Sequence, residues 1–275
     1  MSVGRDNVPL RCLAFLTTLL PLVCSQCYDS SFTTSSESSN SFDSSTPVRN
    51  NCTADFLKYF ESCKRSSPTF DKCIRTALNS VTPYFTTGVP DLKIPPFDPW
   101  FAEEIIQKWG GPGIGYNLKL RNVREAGWKQ SLVTKFRSNA KAQMIVYTQY
   151  FPEKYLEGEW EAESNLIQQR ENRGVFNLTL YEYNQTTTIY RSKNTKRLKV
   201  NIQMKEVGNL KLHISNLLRG RTFLEGILDR MINGFWRPGL VFVRPMVNDV
   251  VSTAFTDIYN KHFNDFDLNT ILPAE

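Results

Sequence analysis

The sequence predicts an α+β domain in which a long C-terminal α-helix is wrapped by a strongly curved antiparallel β-sheet, with disulfide-stapled helices at its N-terminal side. Three observations predict it. Leu240, Val243, Val247, Val250, Val251, Ala254, Phe255, Ile258, Tyr259 and Phe263 keep a 3.6-residue apolar period. From Tyr116 to Ile214 the apolar period shortens to two, the mark of half-buried strands. Cys63 and Cys73 join two short helical runs. A helix of about 24 residues is about 36 Å long, and a curved sheet wrapped around it is one of the few small folds that bury such a rod.

Taken in order, the chain opens with a targeting segment. Arg5 and Arg11 precede an apolar run, Leu13–Val23, that is too short to span a membrane comfortably. Val23 and Ser25 are small enough for the signal-peptidase contact positions, so residues 1–25 read as a signal peptide cleaved after Ser25. The expected location is the extracellular space. Cleavage removes Arg5, Arg11 and Asp6, taking the formal charge from +6 to +5. That mild basicity favours solubility over any particular partner. The aromatics are not interleaved with clustered Lys and Arg, which argues against nucleic acid.

Four cysteines remain after cleavage: Cys27, Cys52, Cys63 and Cys73. In a secreted chain they read as two disulfides, with three connectivities open. A Cys63–Cys73 bond would close a loop of about eleven residues and stabilise by about 3 kcal/mol on the chain-entropy account. Cys27–Cys52 is then the remaining pair. The spacing does not suit zinc, and only His213 and His262 could add imidazole; no metal and no cofactor are expected. Asn51, Asn177 and Asn184 begin glycosylation sequons and are expected at the surface. Residues 26–49, rich in Ser and Thr, read as a disordered tether. Residues 50–275 read as one domain, expected to be monomeric.

Within that domain, Phe56, Leu57, Phe60 and Cys63 predict a helix over 53–64. Phe70, Ile74, Ala77, Leu78 and Val81 predict a second, after Pro68 and ending near Pro83. Phe101, Ile105 and Ile106 suggest a short helix over 100–109. Strands are predicted around Tyr116–Arg121 and at 144–149, 155–162, 175–183, 187–191, 198–204 and 210–214, with a turn at Lys193-Asn194. Leu224, Ile227, Leu228, Met231 and Ile232 predict a helix ended by Asn233-Gly234. The long helix follows, with a kink expected at Pro245.

Several motifs give a resemblance. Cys63…Cys73 is followed by Gly88-Val-Pro-Asp-Leu-Lys-Ile-Pro-Pro-Phe-Asp-Pro99, then Leu118-Lys-Leu-Arg-Asn-Val-Arg-Glu-Ala-Gly127 and Tyr155-Leu-Glu-Gly158. Asn216-Leu-Leu, the long helix with Pro245, and Ile271-Leu-Pro273 extend the pattern. Over residues 55–273 the chain resembles the insect juvenile-hormone-binding and takeout family of haemolymph proteins. The resemblance implies the tubular lipid-binding fold and a secreted carrier of a small hydrophobic ligand: a juvenile-hormone-like terpenoid, a fatty acid or a related lipid. A lipid-transfer or innate-immune surface-binding module of the same fold is the alternative. The chain departs from the family after Tyr155-Leu-Glu-Gly158, where Glu157, Glu159, Glu161 and Glu163 alternate and only Gly174 of a glycine pair is present.

Candidate pocket residues are Phe85, Trp109, Met144, Tyr147, Trp160, Phe235, Trp236, Met246, Val250 and Ala254. Each could equally be plain core. The four glutamates would share one strand face about 6.8 Å apart, too far for one cation, and read as a solvated face. Arg191, Lys193, Lys196, Arg197 and Lys199 read as an exposed hairpin tip, offering at most weak contact with an anionic membrane or a receptor. Gly110-Gly-Pro-Gly-Ile-Gly115 precedes a strand and lacks the Lys-Ser/Thr of a phosphate loop, so it reads as a turn or hinge. No Gly-x-Ser-x-Gly is present. With only His213 and His262 as imidazole bases, the sequence makes no case for an enzyme.

Overall fold

The computed structural model describes residues 52–90, 94–111, 114–164, 172–218 and 221–263. The predicted signal peptide, the tether, Cys27, Asn51 and Ile271-Leu-Pro273 lie outside them. Helices α1 (Cys52–Glu61) and α2 (Phe70–Ser80) come first, and a 3-10 turn (Thr82–Phe85) follows. Seven strands then precede the last helix: β1 (Trp100–Gly111), β2 (Ile114–Ala126), β3 (Leu132–Asn139), β4 (Met144–Ser164), β5 (Asn172–Arg191), β6 (Leu198–Glu206) and β7 (Asn209–Ile214). They form one antiparallel sheet in the order β1-β2-β4-β5-β6, with β3 added to β4 and β7 to β5. Helix α3 (Thr222–Phe263) closes the fold. Among the described residues no helix is long and apolar enough to cross a membrane.

Both early helices stand where the apolar period places them, and a Cys63–Cys73 disulfide joins the end of the first to the second. Residues 100–109 are different. They form β1, paired with β2 from Trp100↔Glu125 to Gly111↔Ile114. Phe101, Ile105 and Ile106 suit a helix face, but twelve residues of backbone pairing along β2 override so short a pattern. The strand β3 was not foreseen either.

The four segments predicted within β4 and β5 prove to be two long strands that change phase. Burial falls on Ile145, Tyr147, Gln149 and Phe151, then moves to Lys154 and Trp160. On β5 it falls on Leu180, then on Tyr183, Gln185, Thr187 and Ile189. Pairing stays in step across the change, Phe151↔Tyr183 and Glu153↔Tyr181. Glu182, at φ 51°, turns the strand over in the left-handed region. The sheet therefore has two halves. One comprises β3, β6, residues 144–151 of β4 and residues 183–191 of β5. The other comprises β1, β2, β7 and the remainder of β4 and β5.

The first half is packed solid. Phe56, Ile74, Leu78, Val81 and Phe85 meet Phe136, Ile145, Ile189, Val200 and Ile202 in one continuous core. A fully buried side chain of this kind contributes about 1.5–3 kcal/mol.

Polar side chains of helices also cover the edge strands. From α2, Asn79 bonds both the N–H and the C=O of Val133, Arg75 donates to Thr134 O, and Asp71 accepts from Ser138 N. From α3, Asn248, Ser252, Thr256 and Asn260 accept the N–H groups of Met204, Ile202, Val200 and Leu198 at 2.8–3.0 Å. Four helical residues rise about 6.0 Å and two strand residues about 6.8 Å, so the two rows run nearly in step. These edge N–H groups, and the C=O groups of Val133, Thr134, Leu198, Val200 and Ile202, gain partners without another strand.

Helix α3 spans 42 residues as two helical runs that meet at a kink, the two helices the sequence suggested. The kink falls at Phe235 (φ −125°, ψ 27°), not at Pro245. Pro238 explains the position, because a proline ring clashes with the carbonyl four residues earlier, here Gly234. The Asn233-Gly234 stop signal stands directly before the break between the two runs.

Candidate functional site

The family-like connector shows its purpose at the junction of β2, β3 and β4. Gly88 holds φ 74°, where a Cβ would strike Ile94 O, and Val89 bridges Ile94. Phe97 packs edge-on against Trp128 at 4.6 Å, and Trp100 stacks on Phe255 of α3 at 6.0 Å. The Asp98 carboxylate accepts from Gly127 N at 3.0 Å and Lys129 N at 2.7 Å, fixing the turn after β2. Gly127, at φ 107°, lies so close to Glu153 O that no side chain fits.

Beneath that turn lies a buried ion pair. Lys154 and Glu125 are in direct contact, their side chains only 6 % and 5 % exposed. The ammonium sits 3.9 Å from the Trp128 ring centre and 4.1 Å from that of Phe151. Burial lowers the Lys154 pKa from its ordinary 10.5, against the opposing pull of Glu125 and Asp98. Burial, and then the Glu125 charge, push the neighbouring Tyr183 hydroxyl well above its ordinary 10.0. Nothing in the sequence pattern set Lys154 apart from surface lysines.

The second half of the sheet presents a different surface. Cross-strand partners share a face. Ile105, Leu120, Trp160 and Gly174 form one row, Gln107, Leu118 and Ala162 a second, and Leu156, Leu178 and Leu212 a third. Gln107 of this face bonds Asp249 of α3, so the face looks toward the helix. Its apolar members are half-buried apart from Trp160, which is buried, as are Val250 and Ala254 on α3. None of these three belongs to the continuous core. The Trp160 ring lies over Gly174 and donates to Ser215 O at 3.2 Å. A Cβ on Gly174 would collide with both partners, which accounts for the one glycine retained there.

The opposite face is charged. Glu161 pairs with Arg121 at 3.1 Å and Lys119 at 3.8 Å, Glu157 with Arg124 at 3.8 Å, and Glu159 accepts from Asn122 at 3.0 Å. The glutamate row is therefore a cross-strand lattice of ions rather than a cation site. Among the described residues no group of three or more His, Cys, Asp or Glu could hold a metal.

The ten candidate pocket residues divide. Val250, Ala254 and Trp160 belong to the helix-and-sheet region just described. Tyr147 is buried in the packed half, where burial first, and then Tyr259, raise its hydroxyl pKa well above 10.0. Phe85 is core beside α2. Met144 is half-buried at the start of β4, and Trp236 and Met246 are half-buried on α3. Phe235 is exposed at the kink. Trp109 lies on β1 opposite Tyr116, its side chain outside the described residues. Sequence reading missed Ile105, Leu118, Leu120, Leu178 and Leu212; their strand alternation was the available signal. His213 meets Asp229 of α3, a contact between strand and helix. Asn177 is exposed and Asn184 half-buried.

A groove of about 470 Å³ runs between the β6 edge and α3, lined by Gln203, Lys205, Arg244, Asn248 and Asp249 among others. A smaller one, of about 240 Å³, lies on the charged face around Lys119, Arg121 and Glu161.

Among solved structures, Takeout 1 of Epiphyas postvittana is similar at 16% identity with a TM-score of 0.47, over 70% of this chain and 90% of that one. Lipopolysaccharide binding protein is similar at 9% identity with a TM-score of 0.20, over 57% of this chain and 35% of that one. A comparison with curated proteins gives no match. The sequence model of the family described as haemolymph juvenile hormone binding protein (JHBP) matches residues 44–273. That span holds the stapled helices, the connector, the whole sheet and α3, and the chain belongs to the haemolymph juvenile hormone binding protein family.

Proposed function

We propose that this protein is a secreted carrier that holds a small hydrophobic molecule, a terpenoid, fatty acid or related lipid, between α3 and the apolar face of β1, β2, β4, β5 and β7. The single observation that carries the reading is the half-buried state of Ile105, Leu118, Leu120 and Leu156 on the face turned toward the helix, none of which packs against the continuous core. Apolar side chains that face inward without joining the continuous core leave surface for a guest to cover. Family membership supports the same reading. The carrier performs no covalent chemistry and needs no cofactor. A guest of about twenty heavy atoms, at about 0.3–0.4 kcal/mol per atom, binds with about 6–8 kcal/mol, near micromolar. Secretion fits the basic, apolar opening of the chain and the disulfide.

Native mass spectrometry of protein secreted from insect cells tests the reading. A co-purified lipid or isoprenoid is expected. Leu118→Arg, on the half-buried face, should abolish both that guest and the binding of an added fluorescent fatty acid, with little change in melting temperature. Protein that is empty and binds no hydrophobic probe, or a variant that binds as well as the parent, overturns it.

A further inference from the structure

The first half of α3 carries large apolar side chains that the sheet does not cover. Phe223, Phe235 and Phe242 are 77 %, 74 % and 84 % exposed, and Met231 and Val241 also lie open. The polar residues of the same stretch are sorted by charge. Glu225 accepts from Asn216 N and Leu218 N, Asp229 meets His213, and Asp249 bonds Gln107. Each of these three acids thus has a partner within the molecule. The cations Arg230, Arg237 and Arg244 recur every seven residues, the first before the Phe235 kink and the other two after it.

Arg230 and Arg237 are exposed; Arg237 donates to Gly208 O and lies 5.1 Å from the Trp236 ring. Arg244 opens into the 470 Å³ groove beside Lys205, and its buried Nε has no hydrogen-bond partner. Acids partnered within the molecule, arginines on both sides of the kink and bare phenylalanines together match a helix that lies in the headgroup layer of a membrane. The groove holds the cations of Arg244 and Lys205 for a phosphate, beside the Asp249 carboxylate that Gln107 engages.

We propose that the first half of α3 is a docking surface for an anionic phospholipid bilayer, with Phe235 and Phe242 entering the interface and Arg230, Arg237 and Arg244 meeting headgroup phosphates. This rests on the helix surface alone and is independent of whether a guest is carried beneath it.

Vesicle flotation of the full secreted chain tests it, using phosphatidylcholine vesicles with and without 30 mol % phosphatidylserine, a composition chosen for roughly physiological surface charge. Binding to the anionic vesicles is expected to be at least about tenfold tighter than to the neutral ones, and to weaken with salt. Phe235→Ser/Phe242→Ser and, separately, Arg230→Glu/Arg237→Glu should each reduce it about tenfold or more. These positions are exposed, so melting temperatures should stay near the parent's. If the serine variant does not fold, Phe242→Trp replaces it, and brominated lipid should quench the added indole.

Equal binding to both vesicle types overturns the proposal. So does loss on Lys193→Glu/Lys196→Glu at the β5–β6 turn with no effect of the helix variants. A dimer in sedimentation equilibrium that the serine variant abolishes, without vesicle binding by the parent, would assign the face to a second copy of the chain and also overturn it.

Discussion

The two halves of the sheet solve the same problem in opposite ways. Around β3, β6 and the adjoining parts of β4 and β5, inward side chains interlock with α1, α2 and the second half of α3, and the core is continuous. Around β1, β2 and β7, the inward side chains of Ile105, Leu118, Leu120 and Leu212 are only half-buried, while Val123 and Leu210 are buried. The first half of α3 is held there by point contacts: Asn233 on Leu212, Asp229 on His213 and Glu225 on the turn after β7. One half stores the stability, and the other keeps apolar surface available. A binding region drawn from the less stable part of a fold follows from the need to admit a ligand.

The largest effect is expected at the buried ion pair, which lies where the two halves of the sheet meet. Glu125→Gln leaves the Lys154 ammonium buried among Trp128 and Phe151 without its counter-charge, and should destabilise by about 3–5 kcal/mol. Lys154→Met on that background removes the orphaned charge and should restore most of the loss. Urea unfolding of both variants checks this; a double variant no better than the single one would show that the pair acts by shape rather than charge.

Alkaline titration sharpens the same point. The hydroxyls of Tyr147 and Tyr183 have raised pKa values in the folded protein, so their contribution is whole below pH 10 and is lost as pH rises past it. Each tyrosine then costs up to about 1.4 kcal/mol per pH unit above 10. Lys154 acts the other way: its pKa is lowered, so its burial cost is relieved as pH climbs toward 10.5. Stability should therefore rise slightly in the mildly alkaline range and fall steeply beyond pH 10. Absorbance at about 295 nm should show two tyrosines that ionise only with unfolding.

What the sequence revealed follows from which forces are local. The stapled helices and the long terminal rod announce themselves because a 3.6 period records one continuous buried stripe. The phase change in β4 and β5 looked like a break between strands, since alternation registers the buried face and not the backbone that carries it. The left-handed Glu182 that causes it has no glycine to mark it. The strand β1 was hidden because Phe101, Ile105 and Ile106 fall at helical spacing and the pairing with β2 supplies the order. The candidate site was legible in part: Trp160, Val250 and Ala254 stand in it, whereas Phe235 faces outward. Aromatic size suggests a pocket, but register decides which side a residue faces.

The polar row on α3 gives a smaller effect. Asn260 bonds both the N–H and the C=O of Leu198 in a buried position. Asn260→Ala should cost about 1–3 kcal/mol by leaving both groups unsatisfied. Hydrogen exchange at Leu198 and Val200 should accelerate before that of the α2 region.

Asn233→Ala is the counterpart on the open side and should have the smallest effect on global stability, less than about 1 kcal/mol. Asn233 is exposed, and the Leu212 N–H and C=O that it bonds can turn to water when it is removed. The loss should instead be local. Deuterium uptake at Leu212 and along residues 223–234 should rise several-fold, while the buried residues of β6 keep their protection. If Asn233→Ala destabilised the whole molecule as much as Asn260→Ala, the halves would be one cooperative unit, and the division between a packed store of stability and an accessible apolar face would have to be given up.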